Sequence, residues 1–109
     1  MAQTIATVAP LNVARIATGT YLDTGTVAAY TFSDLGFKPR YIKLINETSG
    51  DTMEWNEGMA DAEAYKRVAA GTGALVTSNG ITPTSRGFTF GLDTNMNVTS
   101  EQVSWVALG

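Results

Sequence analysis

The sequence predicts an all-β protein: a compact antiparallel β-sandwich or jelly-roll-like domain with at most one short helix. Short runs in which apolar and polar residues alternate recur along the chain, and this period of two is typical of half-buried strands. Turn residues rich in Gly, Asn and Asp separate the runs at regular distances. Many short strands punctuated in this way are characteristic of sandwiches and jelly rolls.

The chain has 109 residues, which is enough for one domain and too few for two with proper cores. We assign residues 11–109 to a single β-sandwich domain. Residues 1–10 carry no charge, and we interpret them as an N-terminal arm that reaches onto a neighbour. The candidate arm residues are Ala2, Gln3, Thr4 and Ile5. The stretches "TIATVA" and "LNVARIA" are nevertheless rich enough in β-branched residues to form strands.

The most strongly specified stretch is "GFKPRYIKLINETSGDTMEWNEGM", residues 36–59. It predicts a hairpin in which Ser49 and Gly50 reverse the chain, since Gly supplies the positive φ that tight turns need. Met53 and Trp55 lie on one face of its second strand and are expected in the core. In the first strand, Tyr41 and Ile45 share the face opposite Ile42 and Leu44. A strand that is apolar on both faces is covered on both sides, so Tyr41 and Ile45 are our candidates for an intermolecular contact.

The segment "MADAEAYKRVAAG" is ambiguous. Its apolar residues have helical spacing and it ends at a glycine, which predicts a short helix near residues 59–70. An irregular connection with Tyr65 tucked beneath it fits equally well. Further along the chain, Asn79-Gly80 is the strongest two-residue hairpin signal. Alternation then predicts strands around residues 27–32, 87–92, 95–99 and 102–108, the last of them apolar on both faces.

Aromatic residues allow two interpretations. They could line a sugar-binding face, but four of them lie on the apolar side of an alternating strand, where burial is the simpler explanation. We therefore predict that these four form the core: Trp55, Phe88, Phe90 and Trp105.

Composition restricts the function classes. The net charge is −3 and the seven basic residues are scattered, so we expect no nucleic-acid partner. The chain has no His and no Cys, which removes the commonest general base and transition-metal ligands.

No apolar run approaches the roughly 18 residues of a membrane span, and we expect no membrane partner. The densest acidic group lacks a calcium-loop pattern: Asp51, Glu54, Glu57, Asp61 and Glu63. We interpret Glu54 as facing solvent and residues 57–63 as an exposed connection. We predict no catalytic residue, no cofactor and no metal.

Residues 26–109 resemble small structural proteins of tailed bacteriophage virions, of the head decoration (cement) type. The likeness lies in "GFKPRYIKLINETSGDTMEWNEGMA", "VAAGTGALVTSNGIT", "RGFTFGLDTNMNV" and the terminal "VSWVALG", and it carries no catalytic signature. The resemblance implies a non-enzymatic protein on the capsid surface that binds the major capsid protein and copies of itself, as a trimer. The alternative is a carbohydrate- or receptor-binding module of a phage fibre or tail.

Overall fold

The computed structural model describes residues 15–23 and 28–109, and these residues are all-β. No helix occurs within the described ranges, in agreement with the predicted fold class. Eight strands are present there: β1 (Ile16–Leu22), β2 (Tyr30–Phe32), β3 (Tyr41–Asn46), β4 (Thr52–Asn56), β5 (Glu63–Arg67), β6 (Gly73–Thr84), β7 (Gly87–Phe90) and β8 (Gln102–Leu108).

The strands form one sheet in the order β1-β8-β3-β4-β5-β6-β7-β2, with every neighbouring pair antiparallel. The sheet curls so that its two halves face each other in the manner of a β-sandwich. Contacts between the halves are aromatic: the ring of Phe32 on β2 lies 4.8 Å from that of Trp105 on β8, and Phe88 on β7 lies 5.2 Å from the same indole. Curling therefore buries one face of the sheet against itself.

The buried face holds the aromatic core that the sequence predicts. Phe88 and Phe90 are completely inaccessible to solvent, and Trp55 and Trp105 are at most 9% exposed. Trp55 donates its indole hydrogen to the Ala60 carbonyl at 3.0 Å, so its polar atom is satisfied at the edge of the core. Apolar residues of the remaining strands complete the cluster: Ile42, Leu44, Met53, Ala64, Ile81, Met96, Val103 and Ala107.

The predicted hairpin of residues 36–59 is confirmed as β3 and β4. Ile42 pairs with Trp55 and Leu44 with Met53, so the four apolar side chains share the buried face. Gly50 has a φ of 84° and donates its amide to the Asn46 carbonyl at 2.7 Å, which closes the turn. The Asn46 side chain also accepts the amides of residues 48 and 49. The turn is therefore held by one buried asparagine as well as by the glycine.

The segment of residues 59–70 is neither a helix nor an irregular cover over Tyr65, and both of our interpretations were wrong. It contains β5, which hydrogen-bonds to β4 on one side and β6 on the other. Tyr65 is 44% exposed and points away from the core. The side chain of Lys66 points the other way and forms a 2.8 Å ion pair with Asp93. Pairing on both edges satisfies the backbone of β5 and outweighs the local helical spacing.

The Asn79-Gly80 signal does not make a hairpin. Both residues lie inside β6, where Asn79 has a φ of 58° and the pairing with β5 shifts register between Glu63 and Ala64. A Cβ on Gly80 would lie 2.6 Å from the Ala62 carbonyl oxygen, so close backbone approach requires the glycine. The dipeptide therefore bends a continuous strand.

The alternating run of residues 95–99 is also not a strand. It forms turns after β7, and these turns are held by the Asp93 carboxylate, which accepts the amides of Asn95 at 2.8 Å and Met96 at 3.0 Å. Met96 nevertheless enters the core and is 1% exposed. A buried carboxylate that caps backbone amides thus takes the place of strand pairing in this segment.

Candidate interaction surface

The outer face of the sheet, opposite the aromatic core, exposes large apolar side chains. Strand registers bring these residues to the same side: Ile16 lies opposite Leu108, Leu108 opposite Tyr41, and Tyr65 opposite Leu75. We use "outer face" for the surface formed by these residues and their strand neighbours. Its exposed apolar members are Ile16 (66%), Leu22 (49%), Ile45 (38%), Tyr65 (44%), Leu75 (55%) and Leu108 (38%).

One part of the outer face spans β1, β8 and β3. Leu108 sits between Ile16 and Tyr41 in a row across the three strands. A depression of about 170 Å³ lies beside this row and is lined by Lys43, Ile45 and Val106, among others. An apolar row next to a small depression suits the insertion of a partner's side chain. We call this part the apolar patch.

The two predicted contact residues, Tyr41 and Ile45, both lie in this region. Ile45 is 38% exposed, whereas Tyr41 is half-buried and donates its hydroxyl to the Glu54 carboxylate at 2.8 Å. Burial, followed by the hydrogen bond and the negative charge of Glu54, raises the pKa of Tyr41 to about 12. The phenol is thus kept neutral and pinned against the sheet. Ile45 therefore presents apolar surface to a partner, while Tyr41 supports the patch from within.

The other part of the outer face is more polar. Tyr65 lies over Gly73, where a Cβ would overlap its hydroxyl, so the absence of a side chain makes room for the ring. Beside Tyr65 is a groove of about 360 Å³ with charged groups of both signs in its walls: Lys43, Glu54 and Arg67. An exposed aromatic ring next to mixed polar groups is able to contact a polar ligand. We call this part the Tyr65 groove.

The acidic residues that the sequence groups together are separated in the structure, and four of the five have local partners. Asp51 accepts the Ala69 amide at 2.7 Å, and Glu63 accepts the Ala60 amide at 2.9 Å. Glu57 lies 3.8 Å from the Arg40 guanidinium on the surface. The described residues contain no group of three acidic, His or Cys side chains placed to hold a metal ion.

The candidate arm residues Ala2, Gln3, Thr4 and Ile5 lie outside the described ranges. Sequence reasoning missed Ile16 and Leu108, although the apolar character of both faces of the last strand was a signal for Leu108. It also missed the exposure of Tyr65. Residues 59–70 were predicted as a helix or an irregular connection, and neither assigns Tyr65 to the outward face of a strand.

Comparison of the chain with protein-family models, with curated protein sequences and with solved structures found no match. Within the described ranges, no helix has the length and apolar character needed to cross a membrane.

Proposed function

We propose that this chain is a structural virion protein of a tailed bacteriophage, a decoration or cement protein that binds and stabilises the capsid through its outer face. The observation that carries the proposal is the gathering of six exposed large apolar side chains on one face of one sheet. Exposed apolar patches such as the row that Leu108 forms with Ile16 and Tyr41 mark interaction sites in soluble proteins. The resemblance of residues 26–109 to phage head decoration proteins supplies the partner, the major capsid protein.

The proposed role needs binding and no reaction. A molecule that binds the assembled shell and not its dissociated subunits shifts the equilibrium toward the shell. A contact of standard size, about 800 Å² on each partner, is enough for specific attachment. Attachment of several copies around a symmetry axis then adds avidity. On this proposal the protein acts on the capsid surface, as a trimer, without cofactor or catalytic residues.

Binding of purified protein to heads that lack it tests the role of the outer face. Ile16→Asn and Ile45→Asn place a polar side chain in the apolar patch and are expected to weaken binding at least about tenfold, because each removes apolar contact area and buries an amide. Leu92→Asn is the matched control, since Leu92 is 47% exposed but lies in the loop after β7. Cosedimentation with heads gives the affinities.

Equal binding by all three variants and the wild type would contradict a capsid contact through the apolar patch. Circular dichroism of each variant verifies that the fold is unchanged. Because all three replaced side chains are exposed, folding is expected to be unaffected.

The second candidate function is carbohydrate or receptor binding, and the Tyr65 groove favours it. Sugars stack on exposed aromatic rings and hydrogen-bond to nearby charged groups, and Tyr65 lies beside Lys43, Glu54 and Arg67. The four core aromatics are buried and unable to stack on a glycan. Glycan-array binding that disappears in Tyr65→Ala, with head binding absent in the wild type, would replace the capsid proposal with this one.

A further inference from the structure

The two end strands of the sheet, β1 and β2, face each other without pairing. At one end of the gap the Tyr21 and Tyr30 rings close it, with centroids 4.0 Å apart. At the other end the gap opens into a groove of about 430 Å³ lined by Ala17 and Thr18 of β1, by residues 30–35, and by Trp105. We call this gap the seam. Its open end lies beside Ala17 and Thr18, near the start of β1.

The backbone of β1 is unpaired on the seam side. Gly109 donates its amide to the Arg15 carbonyl at 2.8 Å. This bond, together with the strand register, determines which residues of β1 hydrogen-bond to β8 through their backbone. In an antiparallel pair the bonding residues alternate, so the backbone groups of residues 15, 17, 19 and 21 face β8. Those of Thr18 and Thr20 face the seam. No described strand pairs with β1 on this side.

Among residues 15–23 and 28–109, no backbone group pairs with β2 on the seam side either. Gly91 donates its amide to the Gly80 carbonyl at 3.2 Å, so residues 87, 89 and 91 bond to β6. Phe88 and Phe90 therefore bond to β2 through Phe32 and Tyr30. The amide and carbonyl of Thr31 are left facing the seam. Two open strand edges that face the same groove form a template for an added extended segment.

The seam selects for an uncharged segment. Its floor is the buried indole of Trp105, over which Gly19 packs closely: a Cβ on Gly19 would lie 2.6 Å from the ring. The walls are apolar, aromatic and hydroxyl-bearing side chains, and of the described residues in the lining Asp34 alone is charged. A charged side chain inserted here would lose hydration without gaining an ion pair, except beside Asp34.

We propose that the seam binds the segment Thr4–Ala9 of a second copy of this chain as an added strand. This segment, "TIATVA", is uncharged, and four of its six residues are β-branched, as suits an added strand. Residues 10–14 link this segment to Arg15 and extend up to about 17 Å, which is the distance available for reaching an adjacent copy. Arg15 is held in line with β1 by its bond to Gly109, so a neighbour is reached without the chain reversal that the arm's own seam requires.

Each copy then donates one arm and accepts one, and head-to-tail contacts of this kind form a ring when the rotation between copies closes. This inference holds for a self-associating protein of any role, and therefore goes beyond the proposed capsid function. The trimer that the resemblance implies would then be held together by contacts between the arm of one copy and the seam of the next.

The test compares the full chain with a variant lacking residues 2–10, using light scattering and a fluorescent peptide of residues 2–10. We expect the full chain to be a closed oligomer and the deletion variant to be a folded monomer. The peptide is expected to bind the deletion variant saturably, one per chain, and to bind the full chain at least about tenfold more weakly because its seams are occupied.

A proline variant locates the binding site. Thr18→Pro removes an amide that faces the seam and takes part in no bond to β8, so peptide affinity is expected to fall at least about fivefold. Thr18→Ser keeps the amide and is the matched control. If the peptide does not bind the deletion variant, or Thr18→Pro binds it as the wild-type seam does, the proposal is overturned. A monomeric full chain that still attaches to heads would overturn this inference and leave the proposed function standing.

Discussion

At the residue scale, the core depends on aromatic side chains that cross between the two halves of the sheet. Trp105 on β8 contacts the rings of Phe32 and Phe88 on the opposite half. Its ring therefore joins the two halves of the sheet directly. Loss of its ring is expected to be costly.

Trp105→Ala is expected to lower the free energy of unfolding by about 3–5 kcal/mol, the usual range for removing a buried aromatic ring. This is a large share of the stability of a small domain. Urea denaturation followed by circular dichroism measures the loss. Leu92→Ala, at a 47% exposed position, is the control and is expected to shift the midpoint little. An unchanged midpoint for Trp105→Ala would mean that the ring does not support the core.

Tyr41 gives the protein a defined response to alkaline pH. Its pKa is raised to about 12 in the folded state, from an ordinary value near 10, by burial and by the Glu54 carboxylate. The folded chain therefore holds this proton more tightly than the unfolded chain between these values. The resulting stabilisation is fully present below pH 10 and is lost as the pH rises toward 12.

Absorbance of the phenolate measures this titration. The four tyrosines are expected to include one that ionises near pH 12, and that late component is expected to disappear in Tyr41→Phe. Because burial, followed by the charge of Asp23, also raises the pKa of Tyr21, the contradicting result is a late component whose amplitude is unchanged in Tyr41→Phe.

Residue-scale predictions from the sequence were good where alternation was strong. Trp55 and Phe88 were placed in the core because each sits on the apolar side of a clear strand, and both are buried. Ile45 was placed on an outward face for the same reason. Ile16 was not recognised, because exposure depends on what covers β1 and the sequence of one strand does not contain that information.

At the element scale, errors arose where local signals conflicted with pairing. The helical spacing of residues 59–70 lost to β5, which gains hydrogen bonds on both edges. The Asn79-Gly80 dipeptide correctly indicated a positive φ, which Asn79 adopts. That conformation produces a bend within β6 and not a hairpin turn. Positive φ alone does not distinguish a hairpin from a bend, because both need the same local conformation.

The ion pair of Lys66 and Asp93 joins β5 to the turns that follow β7. The nitrogen and oxygen lie 2.8 Å apart, and both side chains are at least four-fifths buried. Lys66→Met leaves the Asp93 carboxylate buried without its cation, so we expect a loss of about 3–5 kcal/mol in the free energy of unfolding. Thermal and urea denaturation measure this loss.

The exposed pair of Arg40 and Glu57 is the matched control. Its closest atoms are 3.8 Å apart and both side chains are largely in water, so Arg40→Met is expected to cost about 0–1 kcal/mol. Equal effects for the two substitutions would mean that the Lys66–Asp93 pair does not lock the turns onto β5.

At the scale of the whole molecule, the two faces of the sheet have different roles. The inner face buries its apolar side chains because the sheet curls over them. On the outer face, large apolar side chains are not covered by any of the described residues. Charged residues make up 16% of the chain, well below the usual quarter or so. A surface with little charge and exposed apolar side chains is suited to packing against other copies or another protein. This combination is the basis of our capsid proposal.

The central claim is that the protein stabilises a capsid, and the most direct measurement compares phage particles with and without it under heat and osmotic shock. We expect particles that lack it to lose infectivity and release DNA at lower temperature or milder shock, and to regain resistance when purified wild-type protein is added back. Host adsorption rates, measured on the same particles, are expected to be unchanged. Particles that resist stress equally well without the protein, but adsorb poorly to the host, would contradict the capsid role and favour receptor binding.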